Sequence, residues 1–209
     1  MRRINKGGVP NSLTVFKVNK PTLGYSDLNN GNESIRVDIR TSCIVEQFFL
    51  CAYCCNRITL DSSHNEHIVS QNSIIGRTLT LDFNNIVASC ESKKHCGHKK
   101  ANDIIALTPL MNECETEIIY QLNGKMRHTT PRAQSTINTL YLRNNALVNT
   151  RKQIIDLVLF EYVDEITNLI LEDDYYLQLI IDEISQPDNQ GKLEAFSPVI
   201  VNVLRQFIS

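Results

Sequence analysis

The 209-residue chain lacks any run of eighteen apolar residues, and its opening stretch, MRRINK, has no apolar segment of the kind found in a secretory signal. A helix needs roughly 20 apolar residues to cross a bilayer, and a signal peptide has an apolar segment of roughly 7–15 residues. We therefore expect a cytoplasmic protein with no membrane partner. The sequence also contains no internal repeat and no low-complexity tract.

Basic residues are missing from one long part of the chain, between Lys152 and Lys192. Residues 1–152 contain 19 Lys and Arg against 12 Asp and Glu, whereas residues 153–209 contain 2 against 11. A polyanion would be attracted to the first part and repelled by the second. The division favours a nucleic-acid partner for the first part, although solvated charged surfaces produce similar asymmetries.

A disulfide framework is not indicated, because the seven cysteines are odd in number and concentrated in the middle third of the chain. Reduced thiols, some of which bind a metal, fit this distribution better. Cys51 and Cys54 have the CxxC spacing that lets two thiolates reach one zinc ion, and Cys90 and Cys96 form a second pair. The spacing predicts a closed, structural zinc site with these four ligands.

Alternatives to this site remain at the sequence level. The second pair has the less usual Cx5C spacing, and the adjacent Cys55 could replace Cys54. Buried free thiols are the other interpretation of the four cysteines. Cys43 and Cys114 have no neighbour in sequence and are predicted to be core residues.

The pattern of residue types divides the chain into three parts. Residues 1–35 are rich in Gly, Pro, Asn and basic residues, which predicts an extended basic arm with little core of its own. Residues 36–130 contain the irregular segment with the cysteines and histidines, which needs something other than apolar burial to order it. Residues 131–209 show apolar residues at spacings of three and four, which predicts an α-helical, partner-binding domain.

Within this helical part, the apolar positions run through Val163, Ile166 and Ile170, and Asp173-Asp174 is predicted to be a break or a helix cap. A second apolar set ends at Pro187, and Pro198 marks another helix start. The predicted fold class is therefore α+β.

Three segments between and around the cysteine pairs resemble the HNH nuclease family in order and spacing. An acidic residue precedes His in the first, Asn precedes an aliphatic pair and a cysteine in the second, and Lys lies four residues after a cysteine in the third. The segments are NEHIV (65–69), NNIVASC (84–90) and HCGHKK (95–100).

The resemblance implies a zinc-stabilised ββα-metal core, similar to a treble clef, that surrounds a catalytic Mg²⁺ or Mn²⁺. By this resemblance His67 is the general base, Glu66 is a ligand of the cation, and Asn85 orients the histidine. Such an arrangement suits phosphodiester hydrolysis, which needs an activated water and a cation to neutralise charge on the phosphate.

The third segment departs from the family pattern at Gly97, where many family members have a further metal ligand. His98, or a water that it holds, is a candidate replacement, although His98 could also contact a phosphate or lie on the plain surface. Lys99 and Lys100 are predicted to contact phosphates. His64 has no equivalent support and is assigned no role.

Further segments resemble the retron- and Septu-associated, PtuB-like branch of this family: IALTP (105–109), YQLNG (120–124) and TINTLYL (136–142), together with MRRINK at the start. This branch implies a role in bacterial anti-phage defence with an SMC-like or ABC-type ATPase partner of the PtuA-like group. Retron versions add a reverse transcriptase and its reverse-transcribed DNA.

The sequence thus predicts a metal-dependent HNH endonuclease that acts on nucleic acid, with DNA favoured. One alternative is a toxin-like effector of a retron system that cleaves RNA, for example tRNA. The other is a zinc-stabilised module that binds nucleic acid without cleaving it.

Overall fold

The computed structural model describes residues 1–29, 31–163, 169 and 172–208. Within these residues the protein has the expected mixed α+β architecture, with seven α-helices and two small antiparallel sheets. The helices are α1 (Asn11–Asn19), α2 (Glu33–Glu46), α3 (Gly97–Lys100), α4 (Pro131–Thr139), α5 (Asn145–Leu159), α6 (Asp174–Ile184) and α7 (Ser197–Leu204). The strands are β1 (Ser63–His67), β2 (Ile86–Cys90), β3 (Ile118–Tyr120) and β4 (Met126–His128).

Strands β1 and β2 form the sheet that carries the candidate site. They pair in antiparallel register, with Ser63 opposite Cys90 and His67 opposite Ile86. Because side chains alternate along a strand, His64 and Glu66 share one face of β1 and His67 lies on the other. Every residue of β2 is buried, so the hairpin is fixed against the rest of the molecule along that strand.

The first 35 residues are folded, so the prediction of an extended arm with little core of its own is wrong. Leu13 and Phe16 of α1 are buried, as are Tyr25 and Leu28 in a short 3₁₀ helix at Tyr25–Asn29. These apolar residues are few, but α1 packs on α2 and buries them there. The main-chain N–H of Ile4 also donates to the carbonyl of Pro109 over 2.7 Å.

Basic residues of this segment are used inside the protein. Lys6 forms an ion pair with Glu46 and donates to the carbonyl of Ile86 over 2.8 Å. The guanidinium of Arg2 lies over the ring of Phe48 at 4.3 Å. These two cations therefore stabilise the fold, and they are not presented to an external phosphate.

Helices α4 to α7 occupy the part of the chain where the sequence predicts them. The side chains of Thr130, Asn144 and Asp173 each accept a hydrogen bond from a main-chain N–H in the first turn of α4, α5 and α6. Such caps satisfy donors that have no partner within the helix. The cap predicted at Asp173-Asp174 is confirmed, whereas the predicted helical positions Ile166 and Ile170 lie outside the described residues.

The apolar core continues across the boundary predicted at residues 130/131. Helix α7 packs on β3, where the side-chain amide of Asn202 accepts from the N–H of Tyr120 over 2.8 Å and donates to the carbonyl of Ile118 over 3.2 Å. The N–H of Phe196 donates to the carbonyl of Cys55 over 2.8 Å. The helices therefore support the cysteine-rich segment directly. Among the described helices, none has the length and apolarity needed to span a bilayer.

Candidate metal centre and active site

Four buried sulfur atoms converge at the base of the β1–β2 hairpin. The Sγ atoms of Cys51 and Cys96 are 3.8 Å apart, those of Cys54 and Cys90 are 4.0 Å apart, and all four lie within 4.8 Å of one another. A tetrahedral zinc ion with Zn–S bonds of about 2.3 Å separates its sulfur ligands by about 3.8 Å. The arrangement can therefore hold a zinc ion.

The hairpin brings the two cysteine pairs together. The N–H of Ala52 donates to the carbonyl of Ala88 over 3.1 Å, which holds the CxxC turn against β2. Cys90 ends β2, and its N–H donates to the sulfur of Cys51 over 3.3 Å. Cys96 precedes α3 with a positive φ of 62°. Long-range pairing thus closes a site whose ligands lie far apart in sequence.

The structure distinguishes among the cysteines. Cys54 belongs to the cluster, while Cys55 is buried outside it with its carbonyl bonded to Phe196. Cys43 and Cys114 are buried core residues, as predicted. Burial raises the pKa of each of these last two thiols to about 12, so both are protonated and inert at neutral pH.

The thiols of the cluster shift one another's pKa values in opposite directions. Hydrogen bonds from Cys51, Cys54 and Cys96 lower the pKa of Cys90. Burial, together with the neighbouring thiols, raises the pKa of Cys96. The Nδ1 atom of His95 lies 3.1 Å from the Cys96 sulfur and adds a polar contact outside the cluster. Four soft sulfur donors without an open position suit structural zinc.

Glu66 is buried on the face of β1 that it shares with His64. Its Oε1 atom is 2.8 Å from the ammonium of Lys100, and its Oε2 atom is 3.5 Å from Nε2 of His64. Burial alone would raise the pKa of the Glu66 carboxyl, but His64 and Lys100 outweigh burial and hold that pKa below its usual value. Glu66 is therefore a carboxylate with one oxygen engaged by a buried cation.

Gly97 is packed against these side chains. A Cβ atom at residue 97 would lie 2.7 Å from Nε2 of His64 and 2.8 Å from Oε2 of Glu66. No side chain fits in this position while His64 remains where it is. The imidazole of His64, on β1, and the carboxylate of Glu66 occupy the space that a side chain at residue 97 would need.

His67 points to the opposite face of β1. Its Nε2 atom is 2.9 Å from the carbonyl oxygen of Thr80, and its ring meets that of Tyr25 edge-on at 4.8 Å. Burial lowers the pKa of His67, although the bond to Thr80 opposes this. A carbonyl can only accept, so the neutral ring donates through Nε2 and Nδ1 keeps a lone pair. This atom can act as a base.

Asn85 does not orient the His67 ring in the way that the resemblance implies. Its side chain accepts from the N–H of Val69 over 2.8 Å and donates to the carbonyls of Val69 at 3.1 Å and Leu79 at 3.4 Å. These bonds lock residues 68–85, the loop that carries Thr80. Asn85 therefore acts on the backbone that contacts His67, because its amide is fully occupied by the loop.

The two lysines of α3 differ. Lys99 is exposed, with its ammonium 5.7 Å from the ring of Tyr141, and remains available to a phosphate. Lys100 is fully buried and donates to the carbonyl of His67 over 2.9 Å, in addition to pairing with Glu66. The prediction that Lys100 contacts a phosphate is wrong, because the short helix turns this residue into the hairpin.

His64 is the residue that sequence reasoning missed. It joins Glu91 and His98 in a cluster whose ligand-type atoms lie within 4.8 Å of one another. The alternation of side chains along β1 places His64 on the face of Glu66, and this signal could have found it. Glu91 follows Cys90, and its main-chain N–H donates to the carbonyl of Ser62. The pairing of β1 with β2 therefore places Glu91 close to His64.

A cleft of about 220 Å³ lies where β1 ends. Glu66 and His67 both line it, together with Ser70, Asn72 and Asn102. The side-chain oxygen of Asn102 accepts from Ser70 over 2.7 Å and from Asn72 over 2.8 Å, and these bonds form one wall of the cleft.

Comparisons of the chain with protein-family models and with curated proteins find no match.

Proposed function

We propose that this protein is a metal-dependent nuclease of the HNH type that hydrolyses phosphodiester bonds in nucleic acid, with DNA the favoured substrate. The observation that carries the proposal is the cleft at the end of β1, which Glu66 and His67 line together. The four-thiol cluster supports it, because a zinc ion there would fix the hairpin that presents both residues.

His67 is the proposed general base. Its lowered pKa keeps the imidazole neutral near pH 7, and its bond to Thr80 leaves one ring nitrogen free to take a proton from water. Lys100 holds the main-chain carbonyl of His67, and the carbonyl of Thr80 and the ring of Tyr25 hold its imidazole. Asn85 positions the loop behind the ring.

Glu66 is the proposed ligand of the catalytic cation, through Oε2, the oxygen that Lys100 does not engage. Carboxylate oxygen is a hard donor, which suits Mg²⁺ and Mn²⁺ alike. When bound, such a cation neutralises the negative charge that develops on the phosphate. Exposed lysines around α3, namely Lys93, Lys94 and Lys99, would contact the nucleic-acid backbone.

The test compares cleavage of DNA and RNA by the wild-type chain and by His67→Ala, with Mg²⁺ or Mn²⁺ added. Loss of a general base is expected to lower the rate by about 10²–10⁴-fold. The matched control is His128→Ala, since this histidine lies on β4 and contacts Arg143. Cleavage by His67→Ala at the wild-type rate would contradict the proposal.

A second candidate function is a zinc-stabilised module that binds nucleic acid without cleaving it. The pairing of Glu66 with buried Lys100 favours this candidate, because the carboxylate already has a cation. A titration with Mn²⁺ separates the two functions. The nuclease gives product that increases with metal, whereas the binding module gives a stable complex and no product. Product from RNA alone would support the toxin-like alternative.

We also propose that the acidic C-terminal helices bind a protein partner, with an SMC-like or ABC-type ATPase as the expected one in an anti-phage system. Leu157, Phe160, Tyr175 and Leu179 are exposed, in a region that also contains Glu161 and Glu172. Copurification with the products of neighbouring genes, including any reverse transcriptase with its DNA, tests this. Phe160→Glu is expected to weaken such a complex, and the exposed Val18→Glu on α1 is the control.

A further inference from the structure

The cluster of His64, Glu91 and His98 is separate from the four thiols and from the proposed base. Nδ1 of His64 is 3.2 Å from Oε1 of Glu91, and Nε2 of His98 is 2.8 Å from Oε2 of the same carboxylate. The two imidazole rings are 4.5 Å apart. One carboxylate thus faces two ring nitrogens that come from different elements of the fold.

Neutral imidazoles do not have enough N–H donors to bond all the carboxylates that face them in this cluster. His64 faces a carboxylate on each side, Glu91 near Nδ1 and Glu66 near Nε2, but a neutral imidazole carries only one N–H. Its Nδ1 atom is buried and has no hydrogen bond of acceptable geometry. Nε2 of His98 faces both Glu91 and, at 3.0 Å, the ammonium of Lys93, which require opposite roles from that nitrogen.

A divalent cation resolves the conflict. Two imidazole nitrogens and one carboxylate form a common ligand set for zinc and related ions, with bonds of about 2.0–2.2 Å. Tetrahedral ligands at that distance lie about 3.3 Å apart. The 3.2 Å and 2.8 Å separations are close to this value, so small side-chain movements would complete the site.

Solvent can reach the cluster. The side chain of Glu91 is 43% exposed and that of Lys93 is 76% exposed. Lys93 can therefore move away at little cost, and a bound ion would keep one or more positions for water. The cluster also joins β1, the end of β2 and α3, so an ion there would hold α3 against the hairpin.

We propose that His64, Glu91 and His98 form a second metal site, which takes a divalent transition-metal ion such as Zn²⁺ or Mn²⁺. The site uses the Nδ1 edge of His64, whereas Glu66 faces the Nε2 edge. It is therefore distinct from the cation ligand assigned to Glu66 and does not depend on nuclease activity.

The experiment counts bound metal in the purified full chain after equilibration with Zn²⁺, and repeats the titration with Co²⁺ as a spectroscopic probe. The measurement is made without nucleic acid, where the single carboxylate of Glu66 holds a cation only weakly, so wild-type protein is expected to bind two ions tightly per chain. Glu91→Gln and His98→Ala are each expected to bind one ion tightly, with the affinity for the second lowered by about 100-fold or more. Sulfur-to-Co²⁺ absorption bands should persist in both variants, which shows that the four-cysteine site and the fold are intact.

His128→Ala and Glu194→Gln are matched controls, because His128 lies on β4 and Glu194 is an exposed carboxylate near Arg57, and both variants are expected to bind two ions. One ion in the wild-type protein would overturn the proposal and leave ion pairs of protonated histidines as the explanation of the cluster. Two tightly bound ions in both Glu91→Gln and His98→Ala would overturn it as well.

Discussion

The cysteine-rich segment, residues 51–103, and the C-terminal helices, residues 131–208, bury different kinds of side chain. The helices bury mainly aliphatic residues, with few polar exceptions in the described part: Thr136, Arg151 and Ser197. The cysteine-rich segment also buries apolar residues such as Phe83 and Ile86, but it adds five buried sulfurs and a larger polar set: Ser63, Glu66, His67, Ser70, Asn85, Ser89 and Lys100.

This difference implies that the two regions are stabilised in different ways. Each fully buried aliphatic side chain of the helices contributes about 1.5–3 kcal/mol to folding. Buried polar groups contribute little net stability, and each costs free energy if its partner is lost. The four clustered thiols of the cysteine-rich segment can hold a metal ion, and we expect such an ion to supply stability that the polar residues of this segment do not. Four variants test this comparison.

Removal of the thiol-bound metal is expected to have the largest effect. Structural zinc sites contribute about 10–16 kcal/mol of apparent binding free energy, so chelation or Cys54→Ser should unfold residues 51–103. Hydrogen exchange measures the two regions separately, and the amides of α4 to α7 should keep more protection. Cys114→Ala, which removes a buried thiol outside the cluster, should retain its metal. Equal loss of hydrogen-exchange protection in both regions would show that they do not differ in their dependence on the metal.

Replacement of the buried ammonium is the next test. Lys100→Met keeps the length of the side chain but leaves Glu66 without its ion-pair partner and the carbonyl of His67 without its donor. Breaking a buried ion pair costs about 3–5 kcal/mol, and we expect a loss of this size in urea unfolding at saturating zinc. Lys99→Met, at the exposed neighbouring position, should leave stability unchanged and weaken nucleic-acid binding. Equal stability of the two variants would contradict the structural role of Lys100.

In the helices, Leu204→Ala should lower the free energy of unfolding by about 2–5 kcal/mol, because Leu204 is fully buried in α7. The loss should be the same before and after chelation if this region does not depend on the metal. Urea unfolding followed by helical circular dichroism measures both. Leu157→Ala is the control, since Leu157 is 63% exposed and its removal should change stability by less than about 0.5 kcal/mol.

The smallest effect is expected at Glu117, which precedes β3 and whose carboxylate accepts hydrogen bonds from Thr130 and Arg132 at the start of α4. Hydrogen bonds from Arg132 and Thr130 lower the pKa of Glu117. Its contribution to stability is therefore present above the unfolded carboxyl pKa of about 4.3 and is lost as the pH falls through the lower folded value. Glu117→Gln should be less stable than wild type at pH 7, and the difference should narrow below about pH 4.

Urea unfolding of both proteins across this range is the measurement, since acid release of zinc affects them equally. Glu113→Gln serves as the control, because its carboxylate is 3.7 Å from Arg132 and 53% exposed. A difference between wild type and Glu117→Gln that does not change with pH would show that the Arg132 pair is not responsible.

The sequence predicted the parts of the fold that depend on local pattern. The spacing of Leu147, Ile155 and Val158 predicts a helix where α5 lies, and the CxxC turn predicts two members of the thiol cluster. The position of His64 beside Glu91 does not follow from local pattern, because it depends on the strand register that brings the two residues together. The burial of Lys100 does not follow from local pattern either, because a four-residue helix has no repeating pattern to show which side faces inward.

The contact around Gly97 limits how the residues of this face can be exchanged. The volume next to Glu66 accepts either the imidazole from position 64 or a side chain from position 97, but not both. A ligand side chain can therefore be introduced at position 97 only after His64 has been replaced by a smaller residue. The single variant that lacks the histidine leaves a cavity, which a fold tolerates more readily than a steric clash.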